Sequence, residues 1–296
     1  MSARNLLLCF DAFGTLFKPR LPVAQQYADV ARSLGLSGFT NDDVAASFKT
    51  AFKQEARQNP NYGKANGMNP EKWWTNIIQN TFEPLVQKNQ KLPNDLIPQL
   101  LNRFWCDEGY TLFSDVKPLI QRIREAHEAE DTKVVVGVIT NSDDRVPDIL
   151  TSLGLRVSPL RYGGRPQDAA AGQHDIDFTV MSYDVGLEKP DKRIFTAAEE
   201  VLKIKLDSEA GEGTGNHDPS AWRKVYVGDE DEKDVVGAVG AGWNAVLIDR
   251  ETTRGRHDCT WLEPKQPGNL YDIFKTDKAV GFSSLAKLAE WLPRSE

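Results

Sequence analysis

Five short apolar runs punctuate an otherwise polar chain: residues 6–10 (LLLCF), 134–140 (VVVGVIT), 178–182 (FTVMS), 225–227 (VYV) and 245–248 (AVLI). Each is aliphatic or β-branched and lacks alternation with polar residues, the signature of strands covered on both faces in a parallel sheet. Helical periodicity occupies 119–130, 146–153, 194–202 and 235–241 between the later runs. This alternation predicts an α/β fold with a doubly wound parallel sheet.

One long stretch departs from the alternation. Residues 19–110 carry only helical signals. Asn41-Asp42-Asp43 predicts the cap of a helix running towards Arg57. Asn69 followed by Pro70 places a cap and then proline at the first helical position, ahead of 71–81. Asn94 predicts a further helix through Leu96, Leu100, Leu101 and Phe104. The domain organisation expected is a core of residues 1–18 and 111–296, interrupted by a helical insert of residues 19–110. Trp73 and Trp74 lie in that insert, where helix–helix packing is the first use for an indole. A final amphipathic helix, 285–292, is expected to dock on the sheet.

Two polar stretches, 161–177 and 207–220, read as surface loops. The second is Gly-rich but acidic and lacks the Gly-Lys-Ser/Thr of a phosphate-binding loop. The glycines of 237–242 have the wrong spacing for a dinucleotide fingerprint, and close helix packing explains them better.

Composition narrows the function classes. With 296 residues, 40% apolar and 27% charged, the chain has the make-up of a soluble globular protein. Lys plus Arg number 36 against 43 Asp plus Glu, a net charge of −7, which argues against nucleic acid or an anionic membrane surface as a partner. Cys9, Cys106 and Cys259 match neither a zinc site nor a disulfide framework, and point to a reducing compartment. No early run is long enough for a membrane span, and the first reads as a strand rather than a removable leader. A cytoplasmic location is expected, with the nucleus and mitochondrial matrix compatible with the same features. The sequence leaves the oligomeric state open.

Candidate chemistry gathers at the strand ends, where open parallel sheets bind ligands. The first predicted strand runs into Asp11-Ala12-Phe13-Gly14-Thr15-Leu16, the second ends in Thr140-Asn141, the third is followed by Lys189-Pro190-Asp191, and the fourth ends in Gly228-Asp229 with Asp234 five residues on. Singly, each is an ordinary turn or helix-start residue. Together they place three carboxylates, a hydroxyl and a lysine at the ends of different strands. Asp11 suits a nucleophile. Lys189 can hold it ionised and neutralise substrate oxygens. Thr140 can donate to those oxygens, and Asp229 with Asp234 offers hard ligands for Mg²⁺ beside a phosphate.

These four segments, in this order, resemble the four motifs of the haloacid dehalogenase superfamily, and the insert after the first resembles that family's helical cap of the first type. The resemblance spans residues 6–250. It implies a Rossmann-like core and an aspartyl-phosphate mechanism on a small phosphorylated metabolite. Asp11, Thr140 and Lys189 would be catalytic. Phe13, Gly14, Thr15, Thr140, Asn141 and Lys189 would bind substrate. Asp11, the Phe13 carbonyl, Asp229 and Asp234 would hold Mg²⁺.

One position departs from the pattern. Phosphatases of the family carry a second Asp two residues after the nucleophile, to protonate the leaving group and then activate water; here that residue is Phe13. General acid–base help contributes typically 10²–10⁴ in rate, so phosphomonoester turnover should be weak. Two alternatives follow. A non-catalytic, phosphatase-like binding protein would explain Phe13. A metal-free 2-haloacid dehalogenase would explain the run FDAFGTLF at 10–17, but dehalogenases place Ser and Asn where this chain has Asp229 and Asp234, and Tyr where it has Phe195. The cap lysines Lys49 and Lys53 stand where a phosphonate-cleaving relative would form a Schiff base, yet their charged surroundings read as a solvated helix face.

Overall fold

The computed structural model describes residues 5–86, 90–129, 133–165, 172–210, 218–251, 259–263 and 265–292. Among them are strands β1 (Leu6–Phe10), β2 (Phe17–Pro19), β3 (Tyr110–Leu112), β4 (Val134–Thr140), β5 (Phe178–Met181), β6 (Arg223–Gly228), β7 (Asn244–Ile248), β8 (Thr260–Trp261) and β9 (Ala279–Phe282). Seven form one sheet in the order β5-β4-β1-β6-β7-β9-β8, every pairing parallel, and β2 pairs with β3. The five apolar runs are thus the five strands from β5 to β7.

The chain forms two compact units. The first comprises Met1–Lys18, Leu112–Asn141 and Leu155–Glu296; the second comprises Pro19–Thr111 and Ser142–Gly154. In the first, β1 is buried from end to end. Leu7 and Cys9 join Val135, Ile139 and Phe178 in a core with Ile194, Phe195, Val201 and Leu202 of the helix Lys192–Ala210. Each fully buried aliphatic side chain contributes about 1.5–3 kcal/mol.

Some expected boundaries shift. The strand 178–182 stops at Met181, because Ser182 opens a short helix closed by left-handed Gly186. The loop expected from 207 begins later. Leu206 is buried one turn after Leu202, and Lys205 pairs with Asp177 (3.1 Å) and Glu209 (2.8 Å), which carries the helix on to Ala210. The rest of that loop, 211–217, and residues 166–171 of the other lie outside the described residues. The helix expected over 235–241 starts as a π turn, Asp231–Val236, followed by the helix Gly237–Gly240. A Cβ on Gly237 would lie 3.1 Å from the Cα of Pro190, which is the close packing expected of that glycine. The last helix is shorter than expected, Leu285–Ala289, and packs on the helix Val116–Ala129 as well as on β9.

The second unit is helical: Val23–Ser33, Asn41–Gln58, Pro70–Phe82, Leu96–Arg103 and Val146–Ser152. The helix Asn41–Gln58 is capped by Thr40, one residue earlier than expected, because its hydroxyl and the Asp43 carboxylate form a reciprocal capping box. Asn69 caps Pro70–Phe82 as expected, accepting from the Lys72 N–H at 2.9 Å. Asp95, not Asn94, precedes Leu96–Arg103. Trp73 is buried, packed with Ile77 and Ala51. Lys49 and Lys53 are exposed. A buried ion pair fastens the segment after β4 into this unit. Arg145 donates to both Asp143 oxygens at 2.8 and 2.9 Å and to the Phe104 carbonyl at 3.2 Å. The Trp74 indole donates to Asp143 at 2.8 Å, and the Arg145 guanidinium lies 4.5 Å from the centre of its ring.

Candidate active site

The first unit's sheet sets the site. Parallel pairing in register brings the carboxyl ends of β1, β4 and β6 side by side: Phe10 lies opposite Val138 on β4 and Val227 on β6. Asp11 is the next residue out, its N–H donating to the Val227 carbonyl at 2.8 Å. Asp229 follows β6 directly. Asp234 sits in the π turn, a distortion often found at functional sites. Its carboxylate accepts from the Glu230 N–H at 2.9 Å, so the turn fixes its aim.

Lys189 ties these groups together. Its ammonium donates to Asp11 Oδ1 at 2.8 Å, to Asp234 Oδ1 at 2.8 Å and to the Tyr226 hydroxyl at 2.7 Å. Oxygen atoms of Asp11, Asp229 and Asp234 all lie within 4.8 Å of one another. Thr15 donates to Asp229 Oδ1 at 2.9 Å. Two glycines leave room for this crowding. A Cβ on Gly14, which sits at φ +78°, would collide with the Asp229 carboxylate, and one on Gly228 with that of Asp234. Gly14 thus serves both a left-handed backbone and a close approach.

Asn141 acts on the backbone of the lysine loop. Its amide accepts from the Lys189 N–H at 2.7 Å and donates to the Lys189 carbonyl at 3.0 Å. Thr140 is buried at the last position of β4. Phe13 turns its ring to Phe17, centroids 4.5 Å apart.

Electrostatics follow from two carboxylates paired with one ammonium and a third, Asp229, close by. Burial, reinforced by Asp11, pushes the Asp229 carboxyl up to about 7, against the opposing hydrogen bond from Thr15. Burial also raises Asp11, although Lys189 pulls it back. Burial alone would lower Lys189, but Asp11 and Asp234 outweigh it and hold the ammonium above its usual range.

Two contributors escaped the sequence reading. Tyr226 is fully buried on β6, within the run read only as a strand. The signal was present: a hydroxyl between two valines in a strand buried on both faces requires a partner. Arg250 donates to the Thr15 carbonyl at 3.1 Å and to Asp115 at 2.9 Å, pinning the loop after β1. Nothing local in the sequence marks that contact.

A parallel sheet in this order, with an Asp-Lys-Asp-Asp cluster at its carboxyl edge, defines a class of hydrolases, and the comparison with known families agrees. The chain belongs to the haloacid dehalogenase-like hydrolases, whose family model matches residues 6–242. Among individual relatives, an uncharacterized protein of Saccharomyces cerevisiae is 29% identical over 93% of this chain and 82% of its own length. An uncharacterized hydrolase of Schizosaccharomyces pombe is 30% identical over 83% of this chain and 91% of its own. Haloacid dehalogenase-like hydrolase domain-containing protein 3 of Danio rerio is 27% identical over 84% and 86%. Two solved structures share the fold. The defluorinating L-2-haloacid dehalogenase Rha0230 has TM-score 0.58 at 14% identity, covering 98% of this chain and 95% of its own. The HAD phosphatase from Thermococcus onnurineus has TM-score 0.52 at 20% identity, covering 96% and 95%. Among the described residues, no helix is long and apolar enough to cross a membrane.

Proposed function

We propose that this hydrolase is a Mg²⁺-dependent phosphatase that works through an aspartyl-phosphate on Asp11, acting on a small phosphorylated metabolite. The observation that carries the reading is the cluster of Asp11, Asp229 and Asp234, two of which, Asp11 and Asp234, pair with the Lys189 ammonium. Two buried carboxylates and the half-buried Asp229 face one ammonium, and burial, reinforced by Asp11, raises Asp229 to about 7. The donor set is all hard oxygen and therefore suits Mg²⁺, with Asp11, the Phe13 carbonyl, Asp229 and Asp234 as its ligands. Bound there, the ion would screen the substrate's negative charge and polarise the phosphoryl group.

The chain's own residues then have definite tasks. An Asp11 oxygen forms the new bond to phosphorus while the bond to the leaving oxygen breaks. Lys189 keeps Asp11 ionised and neutralises charge on the phosphoryl oxygens. The Thr140 hydroxyl donates to those oxygens, while the Gly14 N–H is spent on the Phe17 carbonyl at 2.9 Å and holds the loop in shape. Asn141 holds the Lys189 backbone in place through its paired hydrogen bonds. The leaving oxygen receives no proton from position 13, so acyl and aryl phosphates, which leave as stable anions, should be the best substrates. Water then attacks phosphorus, the bond between phosphorus and the Asp11 oxygen breaks, and inorganic phosphate leaves carrying the water's second proton while the first passes to solvent, which restores the Asp11 carboxylate. The helical unit, read as the cap, would select the substrate.

The test is hydrolysis of an aryl phosphate with and without Mg²⁺, beside Asp11→Asn. Metal-dependent turnover that disappears in the variant is expected. Phe13 favours a second reading, a non-catalytic binder; Mg²⁺ binding without turnover would select it. Chloride release from 2-chloropropionate without metal would replace both with a dehalogenase.

A further inference from the structure

Tyr226 is a buried titratable group that the chemistry above leaves unused. We infer that Tyr226 is a positioning residue: its hydroxyl fixes the Lys189 ammonium against Asp11 and Asp234 and ties it to the end of β4 that carries Thr140. The inference rests on the phosphatase reading for its activity readout, but not for its geometry.

A phenol has one proton to donate. Here it goes to the Ile139 carbonyl at 2.6 Å, the residue before Thr140. The oxygen therefore faces Lys189 with lone pairs only, and accepts from the ammonium at 2.7 Å. An ammonium has three N–H donors. Asp11, Asp234 and Tyr226 supply one acceptor each, at 2.8, 2.8 and 2.7 Å, so every donor is used and rotation of the head group is arrested. Without the third acceptor, a buried charged N–H would be left unmade, which costs more than an ordinary hydrogen bond contributes. A neutral acceptor fits this place better than a third carboxylate, which would add charge to a cluster already in excess. The ring is itself held: Phe195 packs edge-on against it at 5.2 Å, and Trp243 packs on Phe195 at 5.6 Å. Tyr226 thus joins residues from β4, β6 and the lysine loop that lie 87 and 37 positions from it in sequence.

Tyr226→Phe keeps the ring and its packing and removes only the hydroxyl. With an aryl phosphate at saturating Mg²⁺, kcat should fall roughly ten- to a hundredfold with KM unchanged, the scale expected when a reacting group is misplaced. The decisive comparison repeats the change in a Lys189→Met background. If Tyr226 acts through Lys189, the second loss shrinks or disappears, because neighbouring residues that work as a unit are not additive. Lys189→Arg serves as the background if Lys189→Met fails to fold, since a guanidinium cannot present one nitrogen to three acceptors. Wild-type turnover in Tyr226→Phe, or the same fold-loss in both backgrounds, would overturn the inference. So would a Tyr226→Phe protein that does not fold, since the hydroxyl would then be a structural tether. Should the wild type itself not hydrolyse the aryl phosphate, the phosphatase reading fails alone. The same four proteins are then compared by unfolding midpoint, where a smaller Tyr226→Phe shift without Lys189 supports the positioning role and an equal shift refutes it.

Discussion

At position 13 a benzyl group stands where proton transfer would help most. Its ring is occupied against Phe17, 4.5 Å away. Replacing it with a carboxyl should trade that contact for general acid–base help. Phe13→Asp is expected to raise kcat on alkyl phosphates by one order of magnitude or more, within the 10²–10⁴ such a group supplies; steady-state assays on a poor-leaving-group substrate read this directly. Asp229 gives a second prediction. Its folded pKa of about 7 lies above its ordinary 3.8, so the stabilising contribution of its neutral form is complete below about 4 and is lost as pH rises through 7. In chelator, Asp229→Asn should match the wild type in melting temperature near pH 4 and exceed it by a growing margin towards pH 8. A margin independent of pH would contradict the assignment. At this scale the sequence reading named most of the cluster, because strand-end carboxylates and lysine have few structural uses in such number. It missed Tyr226 and Arg250, since their roles depend on partners far along the chain.

Among the elements, the strands were the most legible. A strand buried on both faces is mostly apolar, and the buried stretches of β1, β4, β5, β6 and β7 are short, largely aliphatic or aromatic runs. β9 was not read, because four residues including a glycine have little strand character of their own and owe their extended form to pairing with β7. Two helices of the second unit, Asn41–Gln58 and Pro70–Phe82, were visible through their capping residues, but not the bond between the helix Pro70–Phe82 and the segment after β4. That bond is the Asp143–Arg145–Trp74 cluster, whose indole contact spans 69 positions. Removing one partner of a buried ion pair strands the other. Arg145→Leu should therefore destabilise the protein by about 3–5 kcal/mol, measured as a lowered unfolding midpoint. Leu at both 143 and 145 should recover a good part of the loss.

For the molecule as a whole, an excess of buried negative charge at one edge of the sheet makes stability depend on what neutralises it. Mg²⁺ at a hundred times its Kd should stabilise the folded state by about 2.7 kcal/mol. The effect should appear as a melting temperature that climbs with Mg²⁺ concentration in the wild type and stays flat in Asp234→Asn. The fold class and the order of the motifs were readable because both follow from local patterning. The division of the chain was harder to read. Periodicity marks where helices start and stop, not which of them share a core, so the membership of Ser142–Gly154 in the helical unit shows in contacts that the sequence does not mark: Trp74 with Asp143, Arg145 with the Phe104 carbonyl and Trp105 with Asp148.

That membership means the chain changes unit after residues 18, 111, 141 and 154. The helical unit is consequently not a removable cassette. Grafting only residues 19–111 from a relative would leave a native Asp143 and Arg145 facing a foreign indole and a foreign Phe104 carbonyl. An evolutionary or engineered exchange of the helical unit must therefore transfer the thirteen-residue stretch Ser142–Gly154 with the larger insert, which obliges the two to change together.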